Sequence, residues 1–193
     1  MSNPTIHPLP AATPVWVAKV LAFWFGELRS EQWFKRDASL DEQIRARFLA
    51  IHGQVSRMPD AALLTDAQTA LAAILVLDQF SRNMFRGTPA SFASDAKALA
   101  ITDAALAKGH ADALDKNERL FLYVPLEHCE RRNVQARCVE LMSGLGDPEL
   151  TRYAQAHRDI IERFGRFPHR NAILGRTSTA EEIEFLKQPD SSF

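Results

Sequence analysis

Residues 147–165 spell out one complete helix, ends included, and the same pattern recurs along the chain. Asp147-Pro148 supplies a capping carboxylate followed by proline in the first helical position, and Gly165 stands where such a helix stops. Between them Leu150, Tyr153, Ala154, His157, Ile160, Ile161 and Phe164 share one face at the helical period. Proline suits the start because its missing N–H would have no partner there, and glycine suits the stop because it enters left-handed backbone cheaply. No convincing run alternates apolar and polar residues as a half-buried strand would. The fold class that follows is all-α.

The other segments repeat this layout. Thr13-Pro14 opens a helix closed by Gly26, with Val17, Leu21 and Trp24 on one face and Trp16, Val20 and Phe23 on another, so that helix should be buried on most sides. Ser39 and Glu42 are spaced as a capping box ahead of Leu40, Ile44, Phe48 and Ile51. After a turn at Pro59-Asp60, Thr65 and Gln68 form a second box leading through Leu71, Ile74, Leu75 and Phe80. Thr88-Pro89 begins an alanine-rich helix through Phe92, Ala96, Leu99 and Leu106, which Gly109 ends. Asp115 with Glu118 starts a pattern that runs to Met142, and Pro125 inside it predicts a kink or break just before Leu126. A last short helix, capped by Ser178 or Thr179 with Glu181 or Glu182, carries Ile183 and Leu186.

Pro4, Pro8 and Pro10 make residues 1–12 an expected extended arm. No Gly-, Pro- or Ser-rich linker divides the remainder, so residues 13–193 are expected to form a single α-helical domain of stacked antiparallel helix hairpins.

A formal charge of −1, from 23 Lys and Arg against 24 Asp and Glu, removes any general attraction to DNA or anionic membrane. The most apolar run, Val15 to Phe25, is too short to span a bilayer and contains Lys19; with no basic-then-apolar leader either, a cytoplasmic location is expected. Cys129 and Cys138, nine positions apart in an expected helix, would be ~13 Å apart, too far for a disulfide.

Three segments carry polar chemistry beyond what packing demands. In residues 78–86, Asp78 and Arg82 are spaced to pair one helical turn apart, with Arg86 a turn later and Asn83 alongside; this is either a structural ion network or a ligand site. In residues 125–132, Glu127 and Arg131 have the same spacing, and His128 adjoins Cys129. Neighbouring helical residues diverge by about 100°, so that His and Cys do not make a thiolate pair unaided. The third segment runs from His157, set within an apolar stripe, to the loop bearing Arg166, His169, Arg170 and Asn171 around Pro168. Its arginines, interleaved with Phe164 and Phe167, are too few for strong nucleic-acid binding. No HExxH or CxxC spacing, phosphate-cradling glycine loop or G-x-S-x-G elbow occurs, so no metal and no cofactor is expected.

Longer ordered motifs overlie these segments: Phe23-Trp-Phe-Gly26, Trp33-Phe34, Leu77-Asp-Gln-Phe-Ser-Arg-Asn83 with Phe85-Arg-Gly87, Pro125-Leu-Glu-His128, and Arg163-Phe-Gly-Arg-Phe-Pro-His-Arg-Asn171 with Leu174-Gly-Arg176. On these the chain resembles the bacterial domain of unknown function 924 family over roughly residues 15–187. Ser81 stands where that family more often has proline, and Cys129 where it has serine, which argues against either as an essential nucleophile. The resemblance implies a fold similar to tetratricopeptide repeats, a superhelical array of helix pairs, and no established activity; it transfers no catalytic residues.

Two functional readings stay open. In the first, the polar segments converge in one cleft where Asp78, Arg82, Asn83, Arg86, Arg166, His169, Arg170 and Asn171 bind a small anionic molecule or an acidic peptide. In the second, the chain is a hydrolase- or lyase-type enzyme, with His128 or His157 as general base beside Glu127 and an arginine stabilising an oxyanion.

Overall fold

The computed structural model describes residues 13–189 and 191. Every regular element among them is helical. The proline-rich arm at 1–12 lies outside the described residues. The chain gathers into two compact units: one holds the described residues up to Arg86 together with Ala90–Pro125, the other Gly87–Pro89 and the described residues from Leu126 onward.

In the first unit, α1 (Val15–Leu21) runs on into a π-helical segment, Ala22–Glu27. Gly26 therefore lies inside the helix rather than stopping it, and extended backbone begins only at Leu28. The wider π turn leaves the Trp24 carbonyl to the indole N–H of Trp33, which donates to it at 2.9 Å. Trp16, Val17, Val20, Leu21, Phe23 and Trp24 are all buried, as an apolar surface on both faces requires.

Helix α2 (Ala38–Arg57) begins earlier than the Ser39/Glu42 spacing indicates. Its cap is Asp37, whose carboxylate accepts the N–H groups of Ser39 and Leu40. Asp66 likewise displaces Thr65 as cap of α3 (Ala67–Ile74), accepting from the Thr69 N–H at 2.8 Å and the Thr69 hydroxyl at 2.7 Å. An ionised carboxylate takes several donors at once and complements the positive helix end, so it outcompetes a neighbouring hydroxyl or amide.

A second π segment, Leu75–Phe80, follows α3 directly, and α4 (Ser81–Met84) completes this rod. The two π segments meet through aromatic rings: Phe80 lies 5.9 Å from Phe23, 5.6 Å from Trp24 and 4.7 Å from Phe48 between centroids. Thr88-Pro89 introduces only a short 3₁₀ turn, Pro89–Phe92, and α5 (Asp95–Ala107) starts later. Gly109, at φ +73°, ends α5 in left-handed backbone.

Asp115 and Glu118 cap α6 (Lys116–Glu127) reciprocally, each side chain accepting the other's backbone N–H at 2.9 Å. Pro125 does divide the long pattern, but a little later than expected. The helix continues to Glu127 and α7 (Arg132–Ser143) starts after a four-residue connection. Proline deletes only its own N–H, so the existing turn carries past it before the ladder fails. Cys129 consequently lies in the connection rather than on a shared helix with Cys138, and both thiols are free.

In the second unit α7 packs against α8 (Pro148–Phe164); joined by so short a loop, the pair is an antiparallel hairpin. The α7 stripe of Val134, Cys138 and Met142 and the α8 stripe of Ala154, His157, Ile160 and Ile161 are buried. Tyr153 lies on the flank of that stripe, 46% exposed. A 3₁₀ turn, Pro168–Arg170, then leads to α9 (Ala180–Phe185), capped by Thr179 and Glu182 together. Ile183 points outward, and Phe185 packs with Phe164 against Ile160, Ile161 and Phe167.

Candidate functional site

The break after α6 creates the polar centre of the second unit. With the helix ended at Glu127, its last carbonyls need donors, and the buried Gln135 of α7 supplies them. Its Nε2 donates to the carbonyls of Glu127 at 2.6 Å and Cys129 at 2.7 Å. Glu127 and Arg131 are thus not one helical turn apart; the Glu127 carboxylate instead lies 3.4 Å from His157 Nδ1.

His157 is buried, 5% exposed, and its Nδ1–H donates to the Tyr153 carbonyl at 2.9 Å. A carbonyl can only accept, so in the neutral ring Nδ1 carries the proton and Nε2 keeps the lone pair. Burial pushes the His157 imidazolium down to about 3, with the nearby His128, His169 and Arg170 adding to the cost of a charge there.

The remaining members gather around Phe167. The His128 ring is 6.4 Å from that of His157, His157 is 5.7 Å from Phe167, and Phe167 is 5.6 Å from His169, all between centroids. The Arg170 guanidinium sits over the Phe167 ring, 4.6 Å from its centroid. His128 and His169 are half-buried and bring the group to the surface. Glu127, His128, His157, His169 and Arg170 are therefore brought together within this unit. Burial pushes the neighbouring Cys138 thiol up, with Glu127 adding to it, so Cys138 stays protonated and unreactive.

Two further ion pairs frame the loop. Arg166 grips Glu182 through two bonds of 2.7 and 2.8 Å, and Asn171 donates to Ser178 Oγ at 3.0 Å and to the same carboxylate at 3.3 Å. The Arg166 guanidinium holds the Glu182 carboxyl down at about 2. Arg176 pairs with Glu130 at 2.8 and 3.0 Å, and Glu130 also accepts the Phe167 N–H at 2.8 Å. Burial would raise Glu130, but these bonds outweigh it.

In the first unit, Asp78, Arg82, Asn83 and Arg86 form networks among themselves and with carboxylates from elsewhere in the chain. Arg82 contacts Asp78 at 3.0 Å and forks onto Asp95 at 3.0 and 3.1 Å. Asp78 is 1% exposed, so this is a buried ion cluster and not the surface pair its spacing alone would describe. Arg86 forks onto Asp41 with two bonds of 2.7 Å, and Asn83 donates to Asp41 at 2.8 Å. Burial would raise the Asp41 carboxyl, yet Arg86 and Asn83 hold it below the usual range. His52 and Ser81, which no motif singled out as a pair, lie 2.8 Å apart, but Ser81 is fully buried and cannot meet a substrate.

A family model described as bacterial protein of unknown function, DUF924, matches residues 20–190. The chain belongs to the DUF924 family. The matched span includes both polar networks and the histidine group. A solved structure of another protein of unknown function, from Agrobacterium tumefaciens, is similar at 40% identity with a TM-score of 0.84, covering 89% of this chain and 96% of that one. No curated protein matches the sequence.

Sequence reasoning found the DUF924 arginines and the Asp78–Arg82 pair, but not the other partners. Asp41, Asp95 and Glu130 carry no motif spacing, because they reach their arginines across 13 to 46 positions of chain. Glu182 was visible as a helix cap, and its second bond to Arg166 was not. Among the described residues, no group of three or more His, Cys, Asp or Glu side chains is arranged to hold a metal ion. No helix among them is long and apolar enough to cross a membrane.

Proposed function

We propose that the second unit binds a small anion, a carboxylate or phosphate-type group, at His128, His169 and Arg170, with His157 alongside as a neutral ring. The observation that carries this is the gathering of His157, His169 and Arg170 around Phe167, with His128 beside His157, from three separate stretches of chain. Imidazole N–H groups and a guanidinium fork are donors suited to oxyanions, and Phe167 excludes water from one side. Arg82, Arg86 and Arg166 hold carboxylates of the chain and are not part of this group. An acidic peptide would use the same donors through a side-chain carboxylate.

The test is a thermal-shift series with sulfate, phosphate and dicarboxylates against chloride at matched ionic strength. Binding at a hundred times the dissociation constant stabilises by about 2.7 kcal/mol, and Arg170→Lys, losing the fork, should reduce the shift. No shift with any member of the panel refutes the site.

A second reading has its own observation. His157 is oriented through Nδ1 by the Tyr153 carbonyl, with the Glu127 carboxylate 3.4 Å away, an arrangement of the kind a general base requires. On that reading the same anion site holds a hydrolase or lyase substrate, and Arg170 stabilises the developing oxyanion. Turnover of carboxylate or phosphate esters that disappears in a folded His157→Gln variant would select it; anion binding without turnover would leave the binding module.

A further inference from the structure

We infer that α9 is a latch on the turn that carries His169 and Arg170: through Glu182 it holds that turn in place, and it undocks as a separate unit that loosens the turn with it. As regulation of the site, the inference rests on the anion-site reading above. Glu182 reaches both ends of the segment 166–171. Its carboxylate accepts Arg166 at 2.7 and 2.8 Å and Asn171 at 3.3 Å, while Thr179 N–H donates to it at 2.7 Å from its own helix. The same two residues have further partners on the approach to α9: Arg166 donates to the Thr177 carbonyl at 2.9 Å, and Asn171 to Ser178 Oγ at 3.0 Å. When residues 177–185 leave, Arg166 and Asn171 therefore lose these bonds together, and Asn171 is 1% exposed.

The rest of α9 is lightly attached. Of its six residues only Glu182 is buried; Ile183 is exposed, Phe185 is half-buried against Phe164, and the Glu181–Arg163 pair lies in solvent. A helix held mainly by one carboxylate, with little apolar area, opens at lower free energy than the core does. The far side of the turn is fastened differently. Glu130, from the α6–α7 connection, accepts the Phe167 N–H and pairs with Arg176, and the Arg170 charge adds to its attraction. Phe167 itself is fully buried with Ile160 and Ile161 of α8. Opening of α9 thus leaves Phe167 and Arg176 anchored and frees the residues between them, which include His169 and Arg170. By the same coupling, a ligand that orders those residues favours docked α9.

The experiment is residue-resolved hydrogen exchange on the full chain, first without added anion. Ile183 and Leu186 report α9 through their bonds to the Thr179 and Glu182 carbonyls; Leu174 and Arg176 report the turn through theirs to Arg170 and Asn171. In the parent these four amides should exchange through one common opening, roughly tenfold or more faster than Ile161 of α8. Glu182→Gln should speed all four by about tenfold and leave Ile161 at the parental rate, whereas Arg163→Gln, which removes only the exposed pair, should change them by less than about twofold. Turn amides that stay slow while α9 opens, or α8 opening together with α9, overturn the latch; the parent comparison decides this even if Glu182→Gln fails to fold. Sulfate is then added to the parent. Slowing of all four amides is the expected result, and slowing of the turn without α9 overturns the coupling. No slowing at all, with the four still opening together, refutes the anion site and leaves the latch standing.

Discussion

Arg82 shows what a buried charge does in this protein. Its side chain is 19% exposed, set between Asp78 at 1% and Asp95 at 22%. Removing the guanidinium from such a cluster leaves the buried Asp78 carboxylate with less compensation away from water, which costs about 3–5 kcal/mol. Arg82→Ala should therefore lower the unfolding free energy obtained from urea titration by about that amount. Arg47→Ala should cost far less, since Arg47 and Glu27 pair in solvent, 40% and 50% exposed. Equal effects of the two variants would show that Asp78 is not held as described. The motif around residue 78 is then explained by electrostatics inside the fold, and the functional weight moves to the histidine group, where imidazoles outnumber carboxylates.

At the level of elements, two irregularities shape the fold. The π segments Ala22–Glu27 and Leu75–Phe80 re-aim Trp24 and Phe80 so that their rings meet 5.6 Å apart. The break after Pro125 separates α6 from α7 and frees carbonyls that Gln135 reaches from the side. Gln135→Ala leaves those buried acceptors without that donor, and should destabilise by about 1–3 kcal/mol in equilibrium unfolding. Gln135→Glu, which cannot donate when ionised, should be at least as damaging. If either variant unfolds like the parent, the amide is not the cap of α6. The same break delivers Glu127 to His157, so the element that ends the helix also builds the candidate site.

For the whole molecule, acid stability follows from groups whose folded forms resist protons, His157 and Glu182 the most strongly. His157 is held down to about 3 from an ordinary 6.5, so below 6.5 the unfolded chain binds a proton that the folded chain refuses. Glu182 is held down to about 2 from an ordinary 4.5, so its contribution is intact above 4.5 and lost as pH falls toward 2. Both signs agree: stability should be flat above pH 6.5 and fall in two stages on acidification, the first at a slope of up to about 1.4 kcal/mol per pH unit. Urea midpoints from pH 8 to 3 check this, and His157→Gln should shrink the first stage, leaving the part due to His52, which burial also lowers. Sequence alone determined the all-helical class and most helix ends, because capping carboxylates, first-turn prolines and terminal glycines act within one turn of chain. Gly26, Ser39 and Thr65 misled because a local signal also has local competitors: a π turn for the first, and Asp37 and Asp66 for the others. That Arg82 also meets Asp95, which carboxylates meet Arg86 and Arg176, and which rings lie around Phe167, only the tertiary structure decided. Those partners lie up to 46 positions apart, and no short-range rule couples residues until the helices between them have packed.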